Sequence, residues 1–200
     1  DPIAQWCSSN NVDFYRGSMF DVLDRYYQAA KAFDAGVVVR VTADCPLIDP
    51  AVIDETITVF HLYSVDFAAN RLPPPWSRTY PIGLDTEVCR FPVLEKAWKE
   101  ATEGHEREHV MPYLYDVPGR FKIHQINTDP DYGALRWTVD TPEDLEFMQL
   151  IFQHLPDTSK FSWLDVLKVT LQHPEISVIN AGVHHKIFNE VDKRMNGDTG

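Results

Sequence analysis

Hydrophobic side chains recur at helical spacing in several stretches of the chain, and each stretch follows residues suited to cap a helix. Two patterns mark a helix start: an acidic residue directly before proline, and a Ser or Thr three residues before an acidic one. In both, side-chain oxygens accept hydrogen bonds from the first backbone amides of the helix. In the stretch after residue 141, Leu145, Met148 and Phe152 are expected to face inward. The predicted helix starts are Asp1-Pro2, Ser18 with Asp21, Asp49-Pro50, Thr141 with Asp144, and Ser162 with Asp165.

Short runs rich in β-branched and aromatic residues lie between these stretches and predict strands. The run Val-Val-Val-Arg-Val at residues 37–41 is of the kind that is buried inside a parallel sheet. Further strands are predicted at residues 12–15, 84–89, 121–126 and 135–139. The alternation of helix and strand is typical of an α/β fold, with a mostly parallel sheet flanked by helices.

The organisation of the chain favours one domain. Residues 71–77 contain three consecutive prolines and predict a loop, but no linker is long enough to separate two domains. We therefore predict a single α/β domain at residues 1–180, followed by a polar tail at residues 181–200.

The charge and cysteine content exclude several classes of partner. With 18 basic and 30 acidic residues, the formal net charge of −12 repels nucleic acid and anionic membrane, and neither is expected as a partner. A phosphorylated substrate would then need a divalent cation or a local basic cluster. The three cysteines form no C-x-x-C pair, which favours a reducing cytoplasm over a disulfide framework.

Two carboxylates stand just beyond predicted strands. Asp44 follows the run at residues 37–41, and Asp140 follows the run at residues 135–139. Ligands of open α/β sheets bind outside the carboxyl ends of the strands, so both side chains could meet one cation if the strands share a sheet. Magnesium commonly takes one or two protein carboxylates and completes its shell with phosphate and water. The alternative is that each Asp only ends a strand, which spacing alone favours.

Arginines and one histidine motif are further candidates for chemistry. Arg16 precedes a predicted helix N-terminus, which attracts anions, and Arg40 lies inside a predicted buried strand. The alternatives are a surface charge for Arg16 and a structural ion pair for Arg40. The segment from His105 to His109 matches the zinc-protease pattern H-E-x-x-H, although Gly104 and Pro112 leave little helix to present it.

Six segments, taken together in their order, carry a resemblance to one family. They lie at residues 14–18 (FYRGS), 21–27 (DVLDRYY), 40–49 (RVTADCPLID), 80–88 (YPIGLDTEV), 107–110 (REHV) and 135–146 (LRWTVDTPEDLE). The set resembles the cytidylyltransferase family of the spore coat polysaccharide biosynthesis type. This type is akin to the enzymes that activate acylneuraminate and 3-deoxy-manno-octulosonate.

The resemblance implies a fold, a reaction and a set of site residues. The fold would be nucleotide-diphospho-sugar-transferase-like, with a small projecting β-element that often makes a homodimer. The reaction would transfer CMP from CTP to a sugar, with Mg²⁺ as cofactor. The implied roles are catalysis and metal binding for Asp44 and Asp140, nucleotide binding for Arg16, Ser18 and Arg40, and sugar binding for Tyr80, Asp85, Glu87, Arg107 and His109.

One departure from the family pattern bears on activity. The family opens with a strand and a Gly- and basic-rich loop around the triphosphate, and no segment here matches them. We therefore expect an N-terminally truncated version of the fold. The alternative function is a catalytically incompetent remnant that acts as a binding or dimerisation module.

Overall fold

The computed structural model of the protein describes residues 1–73 and 77–184. Its helices are α1 (Pro2–Ser9), α2 (Val22–Ala32), α3 (Pro50–Leu62), α4 (Phe91–Glu100), α5 (Gly104–His109), α6 (Pro112–Tyr115), α7 (Pro142–His154), α8 (Trp163–Gln172) and α9 (Pro174–Val178). Its strands are β1 (Val37–Arg40), β2 (Phe67–Ala69), β3 (Glu87–Arg90) and β4 (Ile123–Gln125). The strands form one sheet in the order β1-β3-β2-β4, and β2 pairs with β4 in parallel. The predicted mixed α/β class is confirmed.

The contacts divide the chain into two compact units. Within the described residues, the first unit holds residues 1–38 and 89–121, and the second holds residues 39–88 and 122–184. The single domain at residues 1–180 stays a prediction. Residues 74–76 of the proline loop and residues 185–200 of the polar tail lie outside the described residues.

The first unit is built on α2, which packs against α4 and α5. Leu23 and Tyr27 of α2 and Leu94 of α4 are buried. The ring of Tyr27 stacks on Trp98 with centroids 4.1 Å apart, which adds a directed aromatic contact to the apolar burial.

Two predictions for the first unit are wrong. Residues 12–15 form no strand: the amide of Val12 donates to the carbonyl of Cys7 at 2.9 Å, in the turn that ends α1. A β-prone run becomes a strand only when a neighbouring strand takes up its backbone groups. Helix α2 is capped by Asp21, which accepts from the amide of Asp24, and not by Ser18.

The core of the second unit lies beneath α7, α8 and α9, around Trp137 and Phe147. The capping boxes predicted at the starts of α7 and α8 are confirmed. Leu145, however, is 50% exposed, so its predicted inward position is wrong. The buried face of α7 begins one residue earlier, at Asp144. A carboxylate is costly to bury unless it is paired with a cation or accepts hydrogen bonds.

Two strand predictions are modified by the structure. Residues 37–41 do contain β1, but β1 lies at the edge of the described sheet, with β3 as its neighbour, and Val39 is exposed. Residues 135–139 form no named strand and make only an isolated parallel bridge between Arg136 and Ile82. The amide of Trp137 donates to the carbonyl of Ile82 at 2.7 Å within this bridge. The run at residues 135–139 is therefore held by an isolated bridge rather than by a full ladder.

Candidate functional site

Asp44 and Asp140, the two predicted metal ligands, lie on neighbouring segments of the second unit. The amide of Val139 donates to the carbonyl of Asp44 at 2.9 Å, and the hydroxyl of Thr138 donates to the same carbonyl at 3.0 Å. Asp140 is the next residue along the chain. The two segments therefore meet through direct hydrogen bonds, although the second is not the sheet strand from which the proximity was predicted.

Cys45 packs beside the carboxylate of Asp44. Its Sγ lies 3.6 Å from Oδ1 of Asp44 and 3.2 Å from Oγ1 of Thr42. Burial raises the pKa of this thiol to about 12. The thiol is therefore protonated at neutral pH and serves as a weak hydrogen-bond donor at the site rather than as a nucleophile.

Asp140 lies in the turn that leads into α7, and its carboxylate contacts Arg136, which also pairs with the buried Asp144. Nη2 of Arg136 lies 2.7 Å from Oδ2 of Asp140 and 2.8 Å from Oδ2 of Asp144. The side chain of Asp140 remains 52% exposed, whereas that of Asp144 is fully buried. One guanidinium thus joins an accessible carboxylate to an inaccessible one.

The buried carboxylate of Asp144 stays ionised. Burial acts to raise its pKa, but hydrogen bonds from Arg136, Asn180 and the amide of Asp140 outweigh burial and hold the pKa well below its usual range. The hydrogen bonds that Arg136 donates to Asp144 and Asp140 raise the pKa of the guanidinium. The Arg136–Asp144 pair is therefore fixed in its charged form across the physiological pH range.

A second group of charges, the arginine–carboxylate cluster, lies in the same unit and includes three predicted site residues. Nη1 of Arg40 contacts Oε2 of Glu87 at 2.5 Å. Arg78 binds Asp85 through two hydrogen bonds of 2.8 and 3.0 Å. Nε of Arg71 lies 3.2 Å from the carboxylate of Asp85. The cluster is Arg40, Arg71, Arg78, Asp85 and Glu87, and its count of three cations against two anions makes it a local basic site in an acidic protein.

Tyr80, predicted to contact the sugar, is buried in the core of this unit. Its hydroxyl donates to Oε2 of Glu55 on α3 at 2.9 Å. Burial and this carboxylate raise the pKa of the phenol. The tyrosine therefore stays neutral and links the segment before β3 to α3.

Two predicted residues of the first unit, Ser18 and Arg107, meet at Asp21. Oγ of Ser18 accepts a hydrogen bond from the amide of Asp21 at 3.1 Å. The guanidinium of Arg107 binds both carboxylate oxygens of Asp21, at 3.0 and 2.6 Å, and donates to the carbonyl of Trp98 at 2.8 Å. The hydroxyl of Ser18, the carboxylate of Asp21 and the guanidinium of Arg107 therefore lie together at the start of α2.

Arg16 and His109 occupy different surroundings in that unit. The side chain of Arg16 is 68% exposed and lies 3.8 Å from the carboxylate of Asp1. His109 ends α5 and is partly buried.

The H-E-x-x-H segment coincides with α5, a helix of six residues. Nε2 of His105 lies 2.7 Å from the carboxylate of Asp116. Across residues 1–73 and 77–184, no group of three or more His, Cys, Asp or Glu side chains is arranged to hold a metal. The zinc alternative therefore gains no support from the described residues.

Sequence reasoning missed how Asp144 and Asn180 support the site. In the sequence Asp144 has the pattern of an ordinary capping-box acid, and Asn180 lies at the predicted boundary of the tail. The four-residue spacing of Arg136, Asp140 and Asp144 was visible, but it spans an extended segment and a helix start, where spacing alone does not predict contact.

In the part of the chain that the structure describes, no helix has the length and apolar character needed to cross a bilayer.

The mixed α/β fold is the one expected of a nucleotidyltransferase, and comparison with known proteins identifies that class and the family within it. A sequence model of the cytidylyltransferase family matches residues 3–159. A solved cytidylyltransferase from Leptospira borgpetersenii superposes with a TM-score of 0.83 at 31% identity, over 92% of this chain and 76% of that one. The chain belongs to the cytidylyltransferase family.

Two curated relatives are similar to this chain over most of its length. An uncharacterized protein of Methanocaldococcus jannaschii is 34% identical over 194 residues, which cover 96% of this chain and 76% of the relative. The spore coat polysaccharide biosynthesis protein SpsF of Bacillus subtilis is 24% identical over 178 residues, covering 88% and 71%. The resemblance noted from sequence, the nucleotide-sugar-transferase-like fold and the prediction of a transferase enzyme are confirmed.

Proposed function

We propose that the protein transfers CMP from CTP to a sugar hydroxyl in a Mg²⁺-dependent reaction. In this step the sugar oxygen bonds to the α-phosphorus, the bond between that phosphorus and the bridging oxygen breaks, and pyrophosphate leaves with the oxygen. The hydroxyl proton passes to solvent or to a nearby base. The observation that carries the proposal is the hydrogen bond from the amide of Val139 to the carbonyl of Asp44, which joins the segment of Asp44 to the segment that leads into Asp140.

Asp44 and Asp140 would hold the cation. Both offer hard carboxylate oxygens, and two such ligands leave room for phosphate and water, which is how Mg²⁺ is commonly bound. Asp140 is accessible and Asp44 is partly exposed, so both can meet a ligand. When bound, Mg²⁺ would supply charge neutralisation on the phosphate oxygens.

The arginine–carboxylate cluster supports a role for its residues in binding the anionic substrate. A protein with a net charge of −12 repels CTP at long range, so binding requires local cations. The guanidiniums of Arg40, Arg71 and Arg78 are already oriented by Asp85 and Glu87, which lowers the entropy lost when they contact a ligand. We assign Arg16, Ser18 and Arg40 to the nucleotide and Tyr80, Asp85, Glu87, Arg107 and His109 to the sugar, as the family resemblance implies.

The product would serve cell-surface polysaccharide synthesis, in line with the name of the Bacillus subtilis relative. A cytoplasmic location is consistent with Cys7, Cys45 and Cys89, which are buried free thiols. A homodimer is proposed from the resemblance alone.

The experiment measures pyrophosphate release from CTP and Mg²⁺ with a panel of acidic and neutral sugars, alongside CTP binding by calorimetry. We expect release with at least one sugar and its loss in Asp140→Asn, while Asp165→Asn, which removes an acid from the capping box of α8, retains it. CTP binding without pyrophosphate release from any sugar would contradict the proposal and support the alternative of a binding module.

A further inference from the structure

We propose that Arg136, anchored by Asp144, is a positioning residue that holds Asp140 in the orientation needed to bind a divalent cation. The inference rests on the proposed function, because it assumes that Asp140 is a cation ligand. It adds two buried residues, Arg136 and Asp144, that act through Asp140.

The first argument is the completeness of the anchor. The two oxygens of Asp144 accept from Nε and Nη2 of Arg136 at 2.8 Å each and from Nδ2 of Asn180 at 2.9 Å. They also accept from the amides of Asp140 and Thr141 at 3.0 and 3.1 Å. A carboxylate with this number of donors has essentially one position, so the guanidinium that it binds is fixed as well.

The second argument is that Asp140 is held at two points. Its amide donates to Oδ2 of Asp144, which fixes the main chain, and its own Oδ2 accepts from Nη2 of Arg136, which fixes the side chain. A carboxylate that is 52% exposed would otherwise sample several rotamers. The contact engages Oδ2, so Oδ1 is the oxygen that the arrangement offers to a cation. Outer partners of this kind commonly account for ~10–100-fold in metal affinity.

The third argument concerns charge. Arg136 alone would neutralise Asp140 and weaken its attraction for a cation. Because Asp144 carries a second negative charge, the three side chains together keep a net charge of −1. The buried acid therefore lets a guanidinium orient the ligand without cancelling its charge.

The charge balance also suggests a decisive variant. Arg136→Met with Asp144→Leu removes the anchor, leaves no single buried charge, and keeps the net charge at Asp140 equal to −1. Replacing both members of a buried pair by apolar residues often preserves the fold. Loss of cation affinity in this double variant would then report orientation rather than electrostatics.

The experiment measures Mn²⁺ binding to the CTP-bound protein by electron paramagnetic resonance, with thermal unfolding as a check of the fold. We expect the double variant to bind Mn²⁺ ~10-fold more weakly. Asp165→Leu, the matched loss of the capping acid in α8, should bind Mn²⁺ as the unmodified protein does. Turnover by the double variant should recover at high Mn²⁺ with the KM for CTP unchanged, because only the cation site is altered.

The outcomes separate this inference from the proposed function. If Asp140→Asn leaves Mn²⁺ affinity unchanged, the proposed cation site is wrong. If Asp140→Asn weakens binding but the folded double variant does not, the positioning role is overturned and the proposed function stands. Should the double variant fail to fold, Arg136→Lys decides, since a lysine keeps the charge but cannot reach both carboxylates with fixed geometry. Unchanged affinity in Arg136→Lys would overturn the inference.

Discussion

Arg107 binds both carboxylate oxygens of Asp21, from Nε to Oδ1 at 3.0 Å and from Nη2 to Oδ2 at 2.6 Å. Its third donor, Nη1, reaches the carbonyl of Trp98 at 2.8 Å. One side chain on α5 thus ties the N-terminal cap of α2 to the last turn of α4. The contact is bidentate and only partly exposed, which are the conditions under which an ion pair contributes to stability.

Replacement of Arg107 should lower stability because three elements lose their common partner. We expect Arg107→Ala to reduce the free energy of unfolding by ~1–3 kcal/mol, measured by urea denaturation. A double-mutant cycle with Asp21→Asn should show coupling between the two positions. The control is Arg16→Ala, where an exposed side chain and a 3.8 Å contact with Asp1 predict a change below ~0.5 kcal/mol.

A second variant, Arg107→Lys, tests the sugar-binding role assigned to Arg107. If Arg107 also contacts the sugar, Arg107→Lys should raise the KM for the sugar while the KM for CTP stays constant. Loss of stability with unaltered kinetic constants would show that its contact with Asp21 is purely structural.

Gly83 is required by the close passage of two backbone segments. Its φ is +105°, and a Cβ at this position would lie 2.4 Å from the carbonyl oxygen of Trp137. We expect Gly83→Ala to lower the free energy of unfolding by more than ~1–3 kcal/mol, because the clash adds to the cost of the unfavourable φ. The displaced segment leads to Asp140, so CTP turnover should fall as well.

Gly119→Ala is the matched control for Gly83→Ala. Gly119 has a φ of +80°, but a Cβ there meets nothing within 4 Å. It should therefore show only the cost of backbone strain, about 1 kcal/mol. Equal losses of stability in the two variants would show that the backbone at Trp137 can move away from the new Cβ without lowering the free energy of unfolding.

The helix starts could be predicted because their signals are local. Asp49 caps α3, and the capping boxes led by Thr141 and Ser162 open α7 and α8, since each cap depends on residues within three positions. Residues 12–15 and 135–139 were predicted as strands and are not, because a strand needs a distant partner that the run itself does not specify.

The site could be predicted only in part for a related reason. Asp44 and Asp140 each follow an apolar run, which predicts them as site residues, and their segments do meet through the amide of Val139. The partners of Asp144 could not be predicted, because Asn180 is 36 residues away and only the folded chain brings it within 2.9 Å. Long-range polar contacts of this kind leave no periodic signal in a single sequence.

The buried pair of Arg40 and Glu87 should respond differently to single and double replacement. Glu87→Leu leaves Arg40 without the carboxylate that it contacts at 2.5 Å, and we expect a loss of ~3–5 kcal/mol in the free energy of unfolding. Arg40→Met combined with Glu87→Leu should lose less than the two single variants summed, because each single variant already removes the same 2.5 Å contact. Arg71 keeps Asp85 as a partner in both cases. Additive losses in urea denaturation would contradict a coupled pair.

Stability should fall in acid because Asp144 is ionised in the folded protein. Its hydrogen bonds hold the pKa below the ordinary value of 3.8, so the folded state binds this proton less tightly than the unfolded state does. The contribution of this carboxylate to the free energy of unfolding is complete above pH ~4, the pKa of an unfolded Asp, and is lost as the pH falls from there toward the folded pKa.

Asp144→Asn should lower stability at pH 7, and its difference in stability from the unmodified protein should shrink below pH ~4. Denaturation curves between pH 3 and pH 7 measure this difference. A difference between Asp144→Asn and the unmodified protein that stays constant down to pH 3 would mean that this carboxylate does not govern the acid side of the stability profile.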